Sequence, residues 1–317
     1  TYDPNQIVKK PNKLYWESIL ANSLSPLTNR SIQGLYSPGS TFKMIVAIAA
    51  LKHGLINSNT THTCRGKIKF GNRLYHCWKT NGHGKMNVTD AIKQSCDVFF
   101  YEISKKVGID KIAEVALDFG LGQSYDISMP NQKKGIIPNK SWKKNRMDES
   151  WYPGETLISA IGQGFVLTNP LQLAVMTSII ASNGKMIKPS ILKNQRSNFK
   201  VNTKYSNEIK IIKEAMYKVV NENKGTAYKS RLEDVKFAGK TGTSQVKRIS
   251  LSERESDDFR KKEKEWKSRD HALFVGYMPF DNPKFAISVV IEHGGSGAST
   301  AAPIASQIFK YIYNNKI

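Results

Sequence analysis

The chain reads as an α/β protein: an antiparallel sheet flanked by helices, with an all-α subdomain inserted near the middle. Strand patterns cluster late in the sequence, and helical patterns occupy most of the rest. Between them, Met44 to Leu51 is apolar on every side, as a helix inside a core should be. At 317 residues the chain can bury a large core, or a core plus a subdomain.

The elements follow in order. Asn12 to Ser23 reads as a helix, and so does Ser40 to Leu51, entered from the Ser37-Pro38-Gly39 turn and stopped at Gly54. Met86 to Leu121 reads as mainly helical, with stops at Gly108 and Gly120. Asn169 to Ser182 and Ser206 to Asn221 carry amphipathic helical periodicity. Val235 to Thr243, Ala272 to Met278 and Phe285 to Ile291 are strand candidates, the last two joined at Asp281-Asn282-Pro283. Ala301 to Tyr313 reads as a final helix packed on the sheet. The layout implies one domain, with an α/β core over 1–53 and 165–317 and the helical subdomain over 54–164. There are no internal repeats.

Charge is the strongest compositional signal. With 48 Lys and Arg against 26 Asp and Glu, the net charge is +22. That favours anionic partners, and is read equally as the habit of a lysine-rich proteome. A nucleic acid is excluded as partner, because no recognition motif, zinc-finger spacing or arginine-rich arm is present. The apolar run Met44–Leu51 falls far short of the ~20 residues that span a bilayer, and no signal peptide is visible. Lys247 to Arg269 is densely charged with mixed signs, relieved by Phe259 and Trp266. It reads either as a solvated loop or as a lid leaving directly from the 235–243 strand.

Three short motifs carry chemistry. Ser40-Thr41-Phe42-Lys43 places a hydroxyl and an amine three residues apart, on one face of a helix start. A serine needs a neighbouring base to become a nucleophile at pH 7, and a lysine on the same face is in reach. The N-terminus of the helix directs free N–H groups and partial positive charge at Ser40. Ser95-Cys96-Asp97 and Lys240-Thr241-Gly242-Thr243 follow in order. Each alone is commonplace: a cap, a turn. Together, Ser-x-x-Lys, Ser-x-Asp and Lys-Thr-Gly form the set of serine acyl-transferases that react with penicillin, in which the middle motif ordinarily ends in asparagine.

On these motifs the chain resembles the transpeptidase domain of class B penicillin-binding proteins, most closely the elongation type of rod-shaped bacteria. The resemblance also takes in Gln33 to Gly39, Trp78-Lys79 with Gly82-His83-Gly84, Trp151 to Thr156, Ile161 to Gly164 and Gly225-Thr226-Ala227. The elongation type is similar in using aspartate at position 97, a group that accepts hydrogen bonds and donates none. The resemblance implies a penicillin-binding, serine β-lactamase-like fold and a D,D-transpeptidase acting on peptidoglycan stem peptides. Ser40 is then the nucleophile and the site of covalent β-lactam attachment. Lys43 is the base, Ser95 a proton relay, and Asp97 orients Ser95 or Lys43. Lys240, Thr241, Gly242 and Thr243 form the pocket for the substrate carboxylate, with the backbone N–H groups of Ser40 and Thr243 as oxyanion hole. Catalysis needs no cofactor. A membrane-bound glycosyltransferase and a scaffold of the elongation machinery are the implied partners. The implied location is the periplasmic face of the inner membrane, behind an N-terminal anchor and pedestal that lie outside this sequence. The first strand pair of the sheet is also expected outside it, leaving an uncovered sheet edge. A β-lactamase, a β-lactam sensor and a non-enzymatic assembly module share the same motifs or fold.

Cys64, Cys77, His83 and Cys96 all fall in the inserted subdomain. A Cys₃His set suits a structural zinc, and Cys96 sits between Ser95 and Asp97, where alternation would face it away from the site. No Cys-x-x-Cys pair is present, and an extracytoplasmic location favours a Cys64–Cys77 disulfide with Cys96 free. The elongation family is similar in having a metal cluster here, with carboxylates at some positions.

Overall fold

The computed structural model describes residues 2–8, 12–192, 200–201, 203–246 and 265–317. Two short helices open it, α1 (Asn5–Val8) and α2 (Lys13–Leu20), the latter capped by Asn12, whose side chain accepts from the Leu14 amide. After α3 (Arg30–Gln33), a 3₁₀ turn over Gly39–Phe42 leads into α4 (Lys43–Lys52). Met44 through Ala50 are fully buried on all sides of α4, so this helix is the spine of the core.

The insert departs from the all-helical expectation. Ahead of its helices stand four short strands, β1 (His62–Cys64), β2 (Lys67–Phe70), β3 (Arg73–His76) and β4 (Gly84–Met86). They pair antiparallel as β1–β4 and β2–β3. Strands of three or four residues, mostly polar, are too short to show an alternating pattern; the cue that was there is Gly71-Asn72, a hairpin turn with Gly71 at φ +56°. The helices then follow: α5 (Val88–Lys93), α6 (Asp97–Val107), α7 (Ile109–Asp118), α8 (Lys140–Met147) and α9 (Pro153–Ala160).

α10 (Pro170–Ala181) begins with a reciprocal capping box between Asn169 and Gln172 and a proline in its first turn. After the small pair β5 (Lys185–Met186) and β6 (Lys200–Val201), α11 (Ser206–Asn221) buries Ile209, Ile212, Met216, Val219 and Val220 on one stripe. The main sheet runs β7 (Ala238–Ser244), β8 (His271–Met278), β9 (Phe285–Ile291), all antiparallel, with Lys240 opposite Val275. The turn expected at 281–283 joins β8 to β9. Among the described residues no strand pairs with the far edge of β9. A π-helical turn at Gly297–Ala301 leads into α12 (Ala302–Asn314), whose Phe309 packs 5.2 Å from Phe237 between helix and sheet. α11 packs on β7, and α10 on β8 and β9. No helix among the described residues is long and apolar enough to cross a membrane.

Candidate active site

Ser40, Ser95 and Thr241 to Thr243 come together from three parts of the chain, along one cleft of about 1570 Å³. The approach of α4 to β7 depends on glycine. Gly39 lies at φ +54°, and a Cβ there would sit 2.4 Å from the Thr243 carbonyl oxygen. Its amide donates to the Gly162 carbonyl at 2.9 Å. Gly39, the residue before Ser40, is thereby held against the backbone of Thr243.

Behind Ser40 lies a buried polar chain. Lys43, with no solvent exposure, donates from Nζ to the Ser95 carbonyl at 2.9 Å, to Ser95 Oγ at 3.2 Å and to Asp97 Oδ1 at 2.6 Å. Lys240, also unexposed, donates to Ser95 Oγ at 3.0 Å and to the Thr241 carbonyl at 3.0 Å. Two lysines thus converge on one hydroxyl. The i, i+3 spacing puts Lys43 in reach of Ser40, and the hydrogen bonds of its amine run to the Ser95 carbonyl and hydroxyl and to the Asp97 carboxylate. Lys240 reaches Ser95 from the strand side, while Thr241 and Thr243 line the cleft itself.

Burial sets the electrostatics. It pushes the Asp97 carboxyl up, against the ammonium of Lys43 and the amide of Trp78, which pull it down. It pulls Lys240 well below the usual lysine range, helped by the charge of Lys43 and opposed by Asp97.

Three neighbours had no assigned role in the sequence. Thr226 Oγ1 lies 2.7 Å from Thr241 Oγ1. Gln163 Nε2 donates to the Thr243 carbonyl at 3.1 Å. Trp78 donates its backbone N–H to Asp97 Oδ2 at 2.9 Å. Each sits in a run noted for the resemblance, but only the fold brings them to the motifs. Of the charged segment, residues 247–264 lie outside the described residues; Trp266, beyond it, packs 4.7 Å from His293.

Cys64, Cys77, His83 and Cys96 form a cluster whose ligand atoms all lie within 4.8 Å of one another. The Cys64 and Cys77 sulfurs are 3.6 and 3.5 Å from His83 Nδ1. Tetrahedral zinc with ordinary Zn–S and Zn–N bonds sets that edge at about 3.6 Å, so the donor set and its spacing fit. All three cysteines are free, in place of the Cys64–Cys77 disulfide that the sequence left open. The Cys77 thiol is held far below the ordinary range, first by a hydrogen bond from Cys96, with burial opposing. Ser95 and Asp97 face Lys43 while Cys96 points into the cluster. His62 stands apart from it, edge-on to Phe99 at 5.5 Å.

A buried lysine pair on one serine, beside a second serine under a Lys-Thr-Gly strand, defines a serine acyl-transferase type of site. Residues 1–310 match the penicillin-binding protein transpeptidase domain family, and the chain belongs to that family. It is 33% identical over 329 residues to the peptidoglycan D,D-transpeptidase MrdA of Salmonella typhimurium, covering 99% of this chain and 52% of that protein. The Helicobacter pylori penicillin-binding protein PBP2, solved in complex with MreC, superposes with a TM-score of 0.89 at 32% identity, over 99% of this chain and 56% of that one. A chain of a peptidoglycan synthase complex, solved in a study of coordinated polymerization and crosslinking, gives a TM-score of 0.80 at 30% identity, over 98% of this chain and 51% of that one. The chain thus spans about half the length of the relatives it matches.

Proposed function

We propose that this chain is the catalytic domain of an elongation-type peptidoglycan D,D-transpeptidase. The observation that carries the reading is the convergence of Lys43 and Lys240 on Ser95 Oγ, at 3.2 and 3.0 Å, beside Ser40 in an open cleft. Ser40 Oγ attacks the carbonyl between the last two D-alanines of a stem peptide, and Lys43 takes its proton. The tetrahedral oxyanion is held by the amides of Ser40 and Thr243. Ser95, fed by Lys43, passes a proton to the leaving amine, and D-alanine departs. Asp97 holds Lys43 in place. Thr241 and Thr243 grip the substrate carboxylate, with Lys240 supplying charge from behind and Gly242 keeping the strand close. The amine of a second stem peptide then resolves the acyl-enzyme, forming the cross-link. β-Lactams follow the first half of this path and remain on Ser40.

The α/β core over 1–53 and 165–317 carries the nucleophile and the Lys-Thr-Gly strand; the insert over 54–164 carries the middle motif. Cys64, Cys77, His83 and Cys96 hold a structural zinc, whose bound form would brace the Ser95–Asp97 turn from behind. The protein works at the periplasmic face of the inner membrane, alongside a glycosyltransferase and a scaffold protein. The relatives solved with MreC and within a synthase complex support those partners.

Intact-mass spectrometry with penicillin tests the reaction. The wild type should gain one long-lived penicilloyl adduct and Ser40→Ala none. Equal labelling of both overturns the mechanism, and rapid loss of the adduct identifies a β-lactamase instead.

A further inference from the structure

Besides Ser95 Oγ, Lys43 is anchored by two acceptors, the Ser95 carbonyl and the Asp97 carboxylate. Each of these has a second donor, and in both cases that donor is Trp78. The indole Nε1–H lies 3.0 Å from the Ser95 carbonyl oxygen, and the backbone N–H lies 2.9 Å from Asp97 Oδ2. The same indole N–H also reaches the Gln94 carbonyl at 3.1 Å, so one donor ties two successive carbonyls at the end of α5. Between them Ser95 adopts φ +55°, a left-handed conformation that a residue with a Cβ avoids unless its surroundings impose it.

The ring itself is at the cleft edge and 60% exposed. A tryptophan so placed adds little to the core, and its polar atom is committed to the backbone of the middle motif. We propose that Trp78 is a positioning residue for the acylation step, holding the Ser95 carbonyl and the Asp97 carboxylate where Lys43 binds them. The indole fixes the turn, and the turn fixes the amine. This rests on the acyl-enzyme reading above.

The competing role is a wall: an aromatic face that merely contacts substrate. Two variants separate the roles. Trp78→Phe keeps an aromatic ring and loses the N–H. Replacing Trp78 by 3-benzothienylalanine keeps the bicyclic shape and loses only the N–H. Stopped-flow acylation by fluorescent penicillin yields the non-covalent dissociation constant and the acylation rate constant separately. Positioning predicts that both variants lose about tenfold in the acylation rate constant, the worth of a lost hydrogen bond. Their dissociation constants should stay within about twofold and their melting temperatures near wild type. A benzothienylalanine variant that acylates at the wild-type rate, or that loses affinity alone, overturns the proposal. Failure of the wild type itself to label at Ser40 would overturn the acyl-enzyme reading instead, so the two failures are distinct.

Discussion

Replacing Gly39 by alanine should separate the fold from the chemistry. A Cβ there would sit 2.4 Å from the Thr243 carbonyl oxygen, about 1 Å inside ordinary contact, and the obstacle is backbone that cannot rotate away. The residue also lies at φ +54°, which costs a side-chain-bearing residue ~1–2 kcal/mol. Overpacking adds ~1–3 kcal/mol, so Gly39→Ala should destabilise the protein by ~2–5 kcal/mol. Gly54 is the matched control. It lies at φ +64° with nothing within 4 Å of the added atom, so Gly54→Ala carries the conformational cost alone, ~1–2 kcal/mol. The strand carrying Thr243 must move by about 1 Å relative to Ser40, a misplacement that costs on the order of 100-fold in rate. Urea unfolding and the acylation rate with fluorescent penicillin measure the two quantities on both variants. Gly54→Ala should acylate like wild type. If Gly39→Ala also acylates at the wild-type rate, or loses no more stability than Gly54→Ala, the seating of Ser40 against Thr243 is not what the backbone contacts indicate.

Two further outcomes follow from the same residues. Burial and Lys43 hold Lys240 low in the free protein. A bound carboxylate favours the ammonium form, so binding takes up protons and weakens as pH rises through the range where free Lys240 deprotonates. Calorimetry of an acyl-D-Ala-D-Ala peptide with Ser40→Ala, in buffers of different ionisation enthalpy, reads this directly; heats independent of buffer at every pH at which the protein stays folded would refute it. For the Cys₃His cluster, metal analysis should find one zinc per chain, and either chelation or Cys96→Ser should lower the melting temperature by at least about 5 °C; a metal-free protein that melts with the wild type would remove the zinc.

Much of the fold was legible because its signals are local. The all-apolar run after Lys43, the stripe of α11 and the capping pair Asn169–Gln172 each announce a helix within a few residues. The strands of the insert were not legible, since β1 to β4 are too short and too polar to carry a period, and only Gly71-Asn72 marked a turn. The site residues were legible as types and order. Their wiring was not. Spacing put Lys43 in reach of Ser40 and the resemblance put Lys240 at the substrate carboxylate, but neither displays the hydrogen bonds that run from both amines to Ser95. Which way a long flexible side chain turns depends on acceptors brought from elsewhere, here the Ser95 carbonyl and Asp97. Thr226, Gln163 and Trp78 were invisible for the same reason: each acts on a motif distant in sequence.

The aspartate at position 97 makes sense in this wiring. Two unexposed lysines share the Ser95 hydroxyl, and Lys43 is matched by the Asp97 carboxylate at 2.6 Å. An asparagine would leave Lys43 with only dipoles for partners, which is costly for a cation in a low-dielectric interior. With aspartate, Lys43 has a counter-charge, while Lys240 is held low by burial and by Lys43. Among the described residues no carboxylate hydrogen-bonds Lys240; its acceptors are a hydroxyl and a carbonyl. The missing counter-charge lies on the side where Thr241 and Thr243 open to the cleft. In the proposed reaction, a ligand that brings its own carboxylate supplies that counter-charge and draws a proton onto Lys240. The C-terminus of a stem peptide supplies that group, and so does the carboxylate of a penicillin.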